Sequence, residues 1–149
     1  MIPVFRPKMN TEEILSELRI ILNSGWIGLG PKTAEFEEKF AEYIGVKYAV
    51  GVNSATAALH LANHTLQLKS EDEVIVPAMT FVSTAVTVMH AGGKPVFCDV
   101  LPDTLCLDPE DIRRKITKNT KAIIPVHFGG HACPMDEIIE ISNEFLDNS

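Results

Sequence analysis

Gly51-Val52-Asn53-Ser54-Ala55-Thr56-Ala57-Ala58-Leu59-His60 is the stretch on which the reading of this chain turns. The apolar run Tyr48-Ala49-Val50 leads into it, a turn of small residues follows, and a run of good helix formers closes it. That order predicts a strand over 47–52, a tight turn, and a helix from Asn53 or Ser54 to about Leu66. A helix start carries backbone N–H groups without intrahelical partners and the positive end of the helix dipole. With the Ser54 and Thr56 hydroxyls beside it, such a start suits a phosphate. The same residues also satisfy a simpler description, an N-cap on an ordinary helix, which is the commoner use of Asn and Ser.

Working outward, the N-terminal side holds two helical patterns. Asn10 or Thr11 caps the first, which has Glu12 and Glu13 in its first turn, apolar residues from Ile14 to Leu22 at helical spacing, and an end at Asn23-Ser24-Gly25. The loop Gly25-Trp26-Ile27-Gly28-Leu29-Gly30-Pro31 follows and carries the only Trp. A lid or pocket wall and a hydrophobic plug are both open readings of it. The second helix runs from about Lys32 to Ile44, with Phe36, Phe40 and Tyr43 as an apolar stripe expected to face a core and Gly45 as its stop.

On the C-terminal side strands and helices alternate. Short apolar runs at 72–77, 94–100 and 120–126 read as buried parallel strands. Helices are expected from about Ala78 to His90, after the Asp108 cap with Pro109 at the first helical position, and from Pro134 to about Phe145. Strand–helix alternation of this kind gives an α/β fold, a mostly parallel sheet with helices on both faces. In such sheets ligands bind beyond the carboxyl ends of the strands. The turns at 53–56, 80–84 and 127–130, and Asp99, all fall at such ends, which favours the phosphate reading of the opening stretch.

Composition narrows the function. The chain has 149 residues, a 46% hydrophobic content and a net charge of −7, ordinary for a globular protein and unsuited to non-specific nucleic-acid or anionic-membrane binding. No apolar run is long enough for a membrane span, and residues 1–7 have no signal-peptide pattern, so a cytoplasmic location is expected. Cys98, Cys106 and Cys133 lack zinc-type spacing and read as reduced, packed thiols. His127 and His131 sit in a Gly-containing loop without an obvious third ligand, so no metal site is assigned. No G-x-G-x-x-G follows the 47–52 run, which counts against a dinucleotide-binding domain.

Several stretches, taken in order, resemble the DegT/StrS-type sugar aminotransferases. They are Ser24-Gly25-Trp26-Ile27, Phe36-Glu37, Asn53 to Leu59, Asp72 to Pro77 followed by Thr80-Phe81, Pro95 to Val100, and Thr120 to His127 with Gly130. The resemblance spans nearly the whole chain. It implies part of the large domain of the aspartate-aminotransferase fold (fold type I), with residues 1–31 as an N-terminal helix and Gly/Trp loop and 32–149 as an incomplete cofactor-binding large domain. It also implies pyridoxal 5′-phosphate as cofactor, a nucleotide-linked keto sugar and an amino-acid donor as substrates, and a homo-oligomer, in the first instance a dimer. Ser54, Ala55 and Thr56 match the turn that holds the cofactor phosphate, and Phe81 matches the aromatic residue that stacks on the pyridine ring. Trp26 and Ile27 match the sugar side of the pocket. Ala55 stands where many members have Gly. His127 reads as a structural loop histidine.

Two groups of the resembled family have no counterpart here: the acidic partner of the pyridine nitrogen and the Schiff-base lysine. Asp147 does not follow a strand-like run, and none of the lysines (Lys8, Lys32, Lys39, Lys47, Lys69, Lys94, Lys115, Lys118 and Lys121) sits in the matching context. No catalytic residue is therefore assigned, and the 149 residues alone are expected to lack transaminase activity. A fragment of a longer enzyme, a truncated reading frame and a stand-alone descendant all fit this length. The alternative function is a non-catalytic α/β module that binds a phosphorylated ligand or pairs with a partner subunit.

Overall fold

A computed structural model describes residues 6–146. Residues 1–5, in the Pro-rich start expected to be extended, and Asp147 lie outside the described residues. The chain divides into two compact units between Gly51 and Val52.

The first unit contains α1 (Thr11–Ser24) and α2 (Pro31–Ile44). Asn10 caps α1: its side-chain oxygen accepts from the Glu13 N–H, and its amide donates to the Glu13 carboxylate at 2.8 Å. Gly25, in the left-handed region at φ 73°, closes the helix. Lys32 at the start of α2 bridges Glu17 of α1 at 2.7 Å and Glu35 at 2.9 Å; these pairs are half exposed and add little stability.

Two expectations fail in this unit. The stripe Phe36, Phe40 and Tyr43 does not face a core: Phe36 is 57% and Tyr43 86% exposed, and Ala41 is the one residue of α2 that is buried. Helical periodicity identifies an apolar face but not what covers it, and two helices enclose little volume. Residues 47–52 are not a strand. They join no ladder, Tyr48 and Val50 are exposed, and the Gly51 N–H donates instead to the Glu37 carboxylate at 2.7 Å.

The second unit is the expected α/β layer structure. Its sheet has the order β2-β1-β3, with β1 (Glu73–Pro77) central, β2 (Lys94–Cys98) and β3 (Thr120–Ile123) flanking, and every pairing parallel. The helices are α3 (Ala55–Thr65), α4 (Ser83–His90), α5 (Pro109–Lys115) and α6 (Met135–Leu146). Alternation along β1 sends its side chains to opposite faces. Val74 and Val76 pack with Ala85 and Val88 of α4, while Ile75 packs with Ile112 of α5 and Ile138 and Ile141 of α6. Val74, Ile75 and Val76 are fully buried.

The helix expected from Ala78 begins five residues later. The Ala78 N–H still donates to the Cys98 carbonyl, extending the sheet, so 78–82 form a turn before α4. Gly92 after α4 has φ 97°, and a β-carbon there would approach the Leu68 carbonyl to 3.0 Å. Beyond β2, the Asp111 carboxylate of α5 accepts the Asp99 N–H at 2.7 Å and is bound by Arg114 at 3.0 Å. The Asp99 N–H, assisted by Arg114 and opposed by burial, holds this carboxyl below its ordinary pKa. A lowered carboxylate pKa contributes stability above the unfolded value, about 4, that is lost as pH falls through the folded value. No helix among the described residues is long and apolar enough to cross a membrane.

α3 packs on α4 through a buried polar chain. The Asn63 side-chain amide donates to the Thr87 hydroxyl at 3.1 Å, which donates to the Ser83 carbonyl at 2.7 Å. Thr87→Val keeps the shape but leaves the Asn63 amide unpaired, and should cost about 1–3 kcal/mol. The double variant Asn63→Leu/Thr87→Val should recover part of that loss. Urea unfolding of the single and double variants measures both, and equal losses would show that the pair does not couple the helices.

Candidate functional site

The cleft lies in the second unit at the carboxyl ends of its strands. It has a volume of about 630 Å³, within the range of small-molecule sites. Ala55, Thr56 and Leu59 of α3 form one wall, Thr80, Phe81, Ser83 and Thr84 a second, and residues 124–129 after β3 a third.

Ser54, in extended conformation, is the N-cap of α3. Its hydroxyl oxygen accepts the Ala57 N–H at 3.2 Å, its carbonyl accepts the Ala58 N–H at 3.1 Å, and its hydroxyl donates to the Asn53 side chain at 3.3 Å. The cap thus uses the third and fourth helical N–H groups and leaves those of Ala55 and Thr56 without an intrahelical acceptor. Both residues line the cleft. α4 also starts there: Val82 caps it without a side-chain bond, and the Thr80 and Thr84 hydroxyls are 2.9 Å apart. The starts of two helices therefore border one cleft, which favours an anion. No lysine or arginine lines it among the described residues. Phe81 is 73% exposed beside these amides.

His127 lines the third wall, and its Nδ1 accepts the Cys133 N–H at 3.0 Å, which ties it into the loop framework. A short 3₁₀ turn, residues 128–130, follows, with Gly129 and Gly130 at positive φ. The structure thus brings Ala55, Thr56 and Phe81 to one cleft, with Ser54 as the cap behind them. Thr80, Thr84 and Leu59 also line it. Their position after a strand or on the first turns of a helix marks the region, but no residue type among them signals a ligand on its own.

Trp26 and Ile27 belong to the first unit. Trp26 is 60% exposed, and its indole N–H donates to the Leu29 carbonyl at 2.7 Å, folding the loop on itself. The indole occupies the space where a side chain on residue 30 would begin: a β-carbon on Gly30 would lie 2.2 Å from its nitrogen. An apolar cleft of about 500 Å³ beside it is lined by Leu18, Ile21, Trp26, Ile27 and Thr33, among others.

The chain belongs to the DegT/DnrJ/EryC1/StrS aminotransferase family, whose model matches residues 8–145. It is 45% identical over 141 residues to the spore coat polysaccharide biosynthesis protein SpsC of Bacillus subtilis, covering 95% of this chain and 36% of that protein. Among solved structures it resembles the putative sugar aminotransferase Spr1654 of Streptococcus pneumoniae in its PMP form, with TM-score 0.87 and 40% identity over 94% of this chain and 35% of that one. It also resembles the E. coli GDP-4-keto-6-deoxy-D-mannose-3-dehydratase with bound hydrated PLP, with TM-score 0.86 and 31% identity over 93% of this chain and 37% of that one. The chain therefore spans little more than a third of these relatives. Its parallel α/β layers are those of the fold type I enzymes.

Trp26 is the only Trp, so its fluorescence reports the first-unit loop directly. Gly30→Ala should displace the indole and shift its emission maximum and anisotropy. Gly28→Ala, where a β-carbon meets nothing within 4 Å, should leave both unchanged. Identical spectra for the two variants would contradict the packed loop.

Proposed function

We propose that this chain supplies the phosphate and ring docking cleft of a pyridoxal-phosphate-dependent enzyme that moves an amino group from an amino-acid donor to a nucleotide-linked keto sugar. The reading rests on one observation above all: the free N–H groups of Ala55 and Thr56 and the exposed ring of Phe81 share one cleft at the carboxyl end of a parallel sheet. Family membership supports the choice of cofactor.

The residues present fit the group. Ala55 is small enough for a phosphate to reach the backbone, and the Ala55 and Thr56 N–H groups and the Thr56 hydroxyl would hold its oxygens. Ser54 keeps the helix start in place by capping Ala57. Phe81 would cover one face of the pyridine ring, an offset contact contributing about 1 kcal/mol beyond burial. When bound, the cofactor supplies an electron-accepting ring for chemistry at the amino carbon. Trp26 and Ile27 are assigned to the sugar side, and residues 32–149 to part of the cofactor-binding large domain. A cytoplasmic homodimer is the assembly proposed for the whole enzyme.

For these residues taken alone the reading is docking without turnover. No lysine lines the cleft among the described residues, so no side chain there can carry the cofactor covalently or shuttle a proton with an amine. This favours the second reading, a phosphorylated-ligand module, for the isolated chain. A sugar aminotransferase and a sugar dehydratase share this frame, so we assign the choice of reaction to groups outside the cleft.

Equilibrium dialysis with pyridoxal phosphate tests the assignment. Phe81→Ala should weaken binding roughly five-fold, the equivalent of about 1 kcal/mol. Thr56→Val should weaken it about ten-fold or more, through loss of a hydrogen bond to a charged group. Lys118→Ala, away from the cleft, should have no effect. Equal affinities for all variants would reject the site, and turnover of glutamate with a keto-sugar nucleotide by the 149 residues alone would reject the docking-only reading.

A further inference from the structure

Two buried thiols stand outside the chemistry above. Cys106 follows Leu105, which has a φ of 58°, in the loop after β2, and Cys133 ends the loop after β3. Both are buried in the cluster that includes Ile75, Leu107 and Ile112. The Cys106 thiol donates to the His131 carbonyl at 3.4 Å, and the Cys133 thiol donates to the Val126 carbonyl at 3.1 Å. Cys106 is thus seated on the loop that carries Cys133, two residues before that cysteine, and both belong to one buried cluster. Cys98 lies in the same cluster, but its thiol faces other carbonyls, those of Asp99 at 3.5 Å and Asp108 at 3.7 Å. Burial, and then the Asp111 carboxylate, push that thiol up to about 12.

We propose that Cys106 and Cys133 form a modification site, a pair that oxidises to an intramolecular disulfide fastening the loop after β3 to the loop after β2. The consequence reaches the cleft, because the fastened loop carries His127 in the third wall and the Cys133 N–H donates to His127. The step balances with an azodicarboxamide oxidant: two S–H bonds break, one S–S bond forms, and two electrons and two protons convert the N=N bond to a hydrazine. Attack needs a thiolate, and burial raises the pKa of Cys133, so the reaction is slow near neutrality and accelerates as pH rises. The bond closes a long loop and so restrains the unfolded chain.

The test treats the full, folded 149-residue chain with diamide at pH 8, alkylates it, and counts thiols after denaturation. The expected result is a fall from three free thiols to one, an intact mass lower by two hydrogens, and a peptide cross-link between Cys106 and Cys133. The oxidised chain should melt about 5–10 °C higher. Cys106→Ser and Cys133→Ser should each keep two free thiols and show no shift, while Cys98→Ser should still lose both. Retention of three thiols by the folded chain, or a cross-link that includes Cys98 or joins two chains, would overturn the proposal.

Discussion

Val74, Ile75 and Val76 have no exposed surface, and their side chains alternate between two separate cores. A strand buried on both faces must also have its backbone groups paired on both edges, because water cannot reach them. β2 and β3 meet that requirement as parallel neighbours, and parallel neighbours require crossover helices. α4, α5 and α6 are packed where they are because β1 leaves apolar surface on each side. The cleft follows from the same constraint: parallel strands all end at one side, so the segments that leave them gather there.

The same geometry lets the candidate site work with almost no charge. An anion at the cleft meets helix starts and backbone N–H groups rather than lysines. Such donors are fixed by the fold and cannot swing away, so in the proposed reading they would hold a phosphate in one orientation. The Asn63–Thr87–Ser83 chain matters for the same reason, since it holds α3 against α4 and so fixes the spacing of the two helix starts.

Much of this is legible in the sequence. The runs at 72–77, 94–100 and 120–126 each contain an observed strand, and caps at Asn10, Ser54 and Asp108 mark helix starts, because local hydrogen-bonding residues specify those positions without help from distant contacts. What escapes depends on partners. The run at 47–52 has strand-like residues but no ladder, and the stripe of Phe36, Phe40 and Tyr43 has helical spacing but no cover among the described residues. α4 starts later than its sequence suggests because Ala78 is held by the Cys98 carbonyl, a contact from a strand remote in sequence. In the site, Ala55, Thr56 and Phe81 can be singled out by position and family resemblance. The pairing of the Thr80 and Thr84 hydroxyls cannot be read that way, since tertiary structure sets it.

Docking of a phosphorylated ring compound between the first turn of α3 and the ring of Phe81 can be read residue by residue. The readout is the set of backbone amide chemical shifts, followed while pyridoxal phosphate is added to the ¹⁵N-labelled chain. The largest saturable shifts should fall on Ala55, Thr56 and the residues flanking Phe81, and inorganic phosphate should move the first two but not those flanking Phe81. Shifts concentrated instead around exposed lysines such as Lys118 and Lys121, with Ala55 and Thr56 unmoved, would show that the cleft is not the docking site.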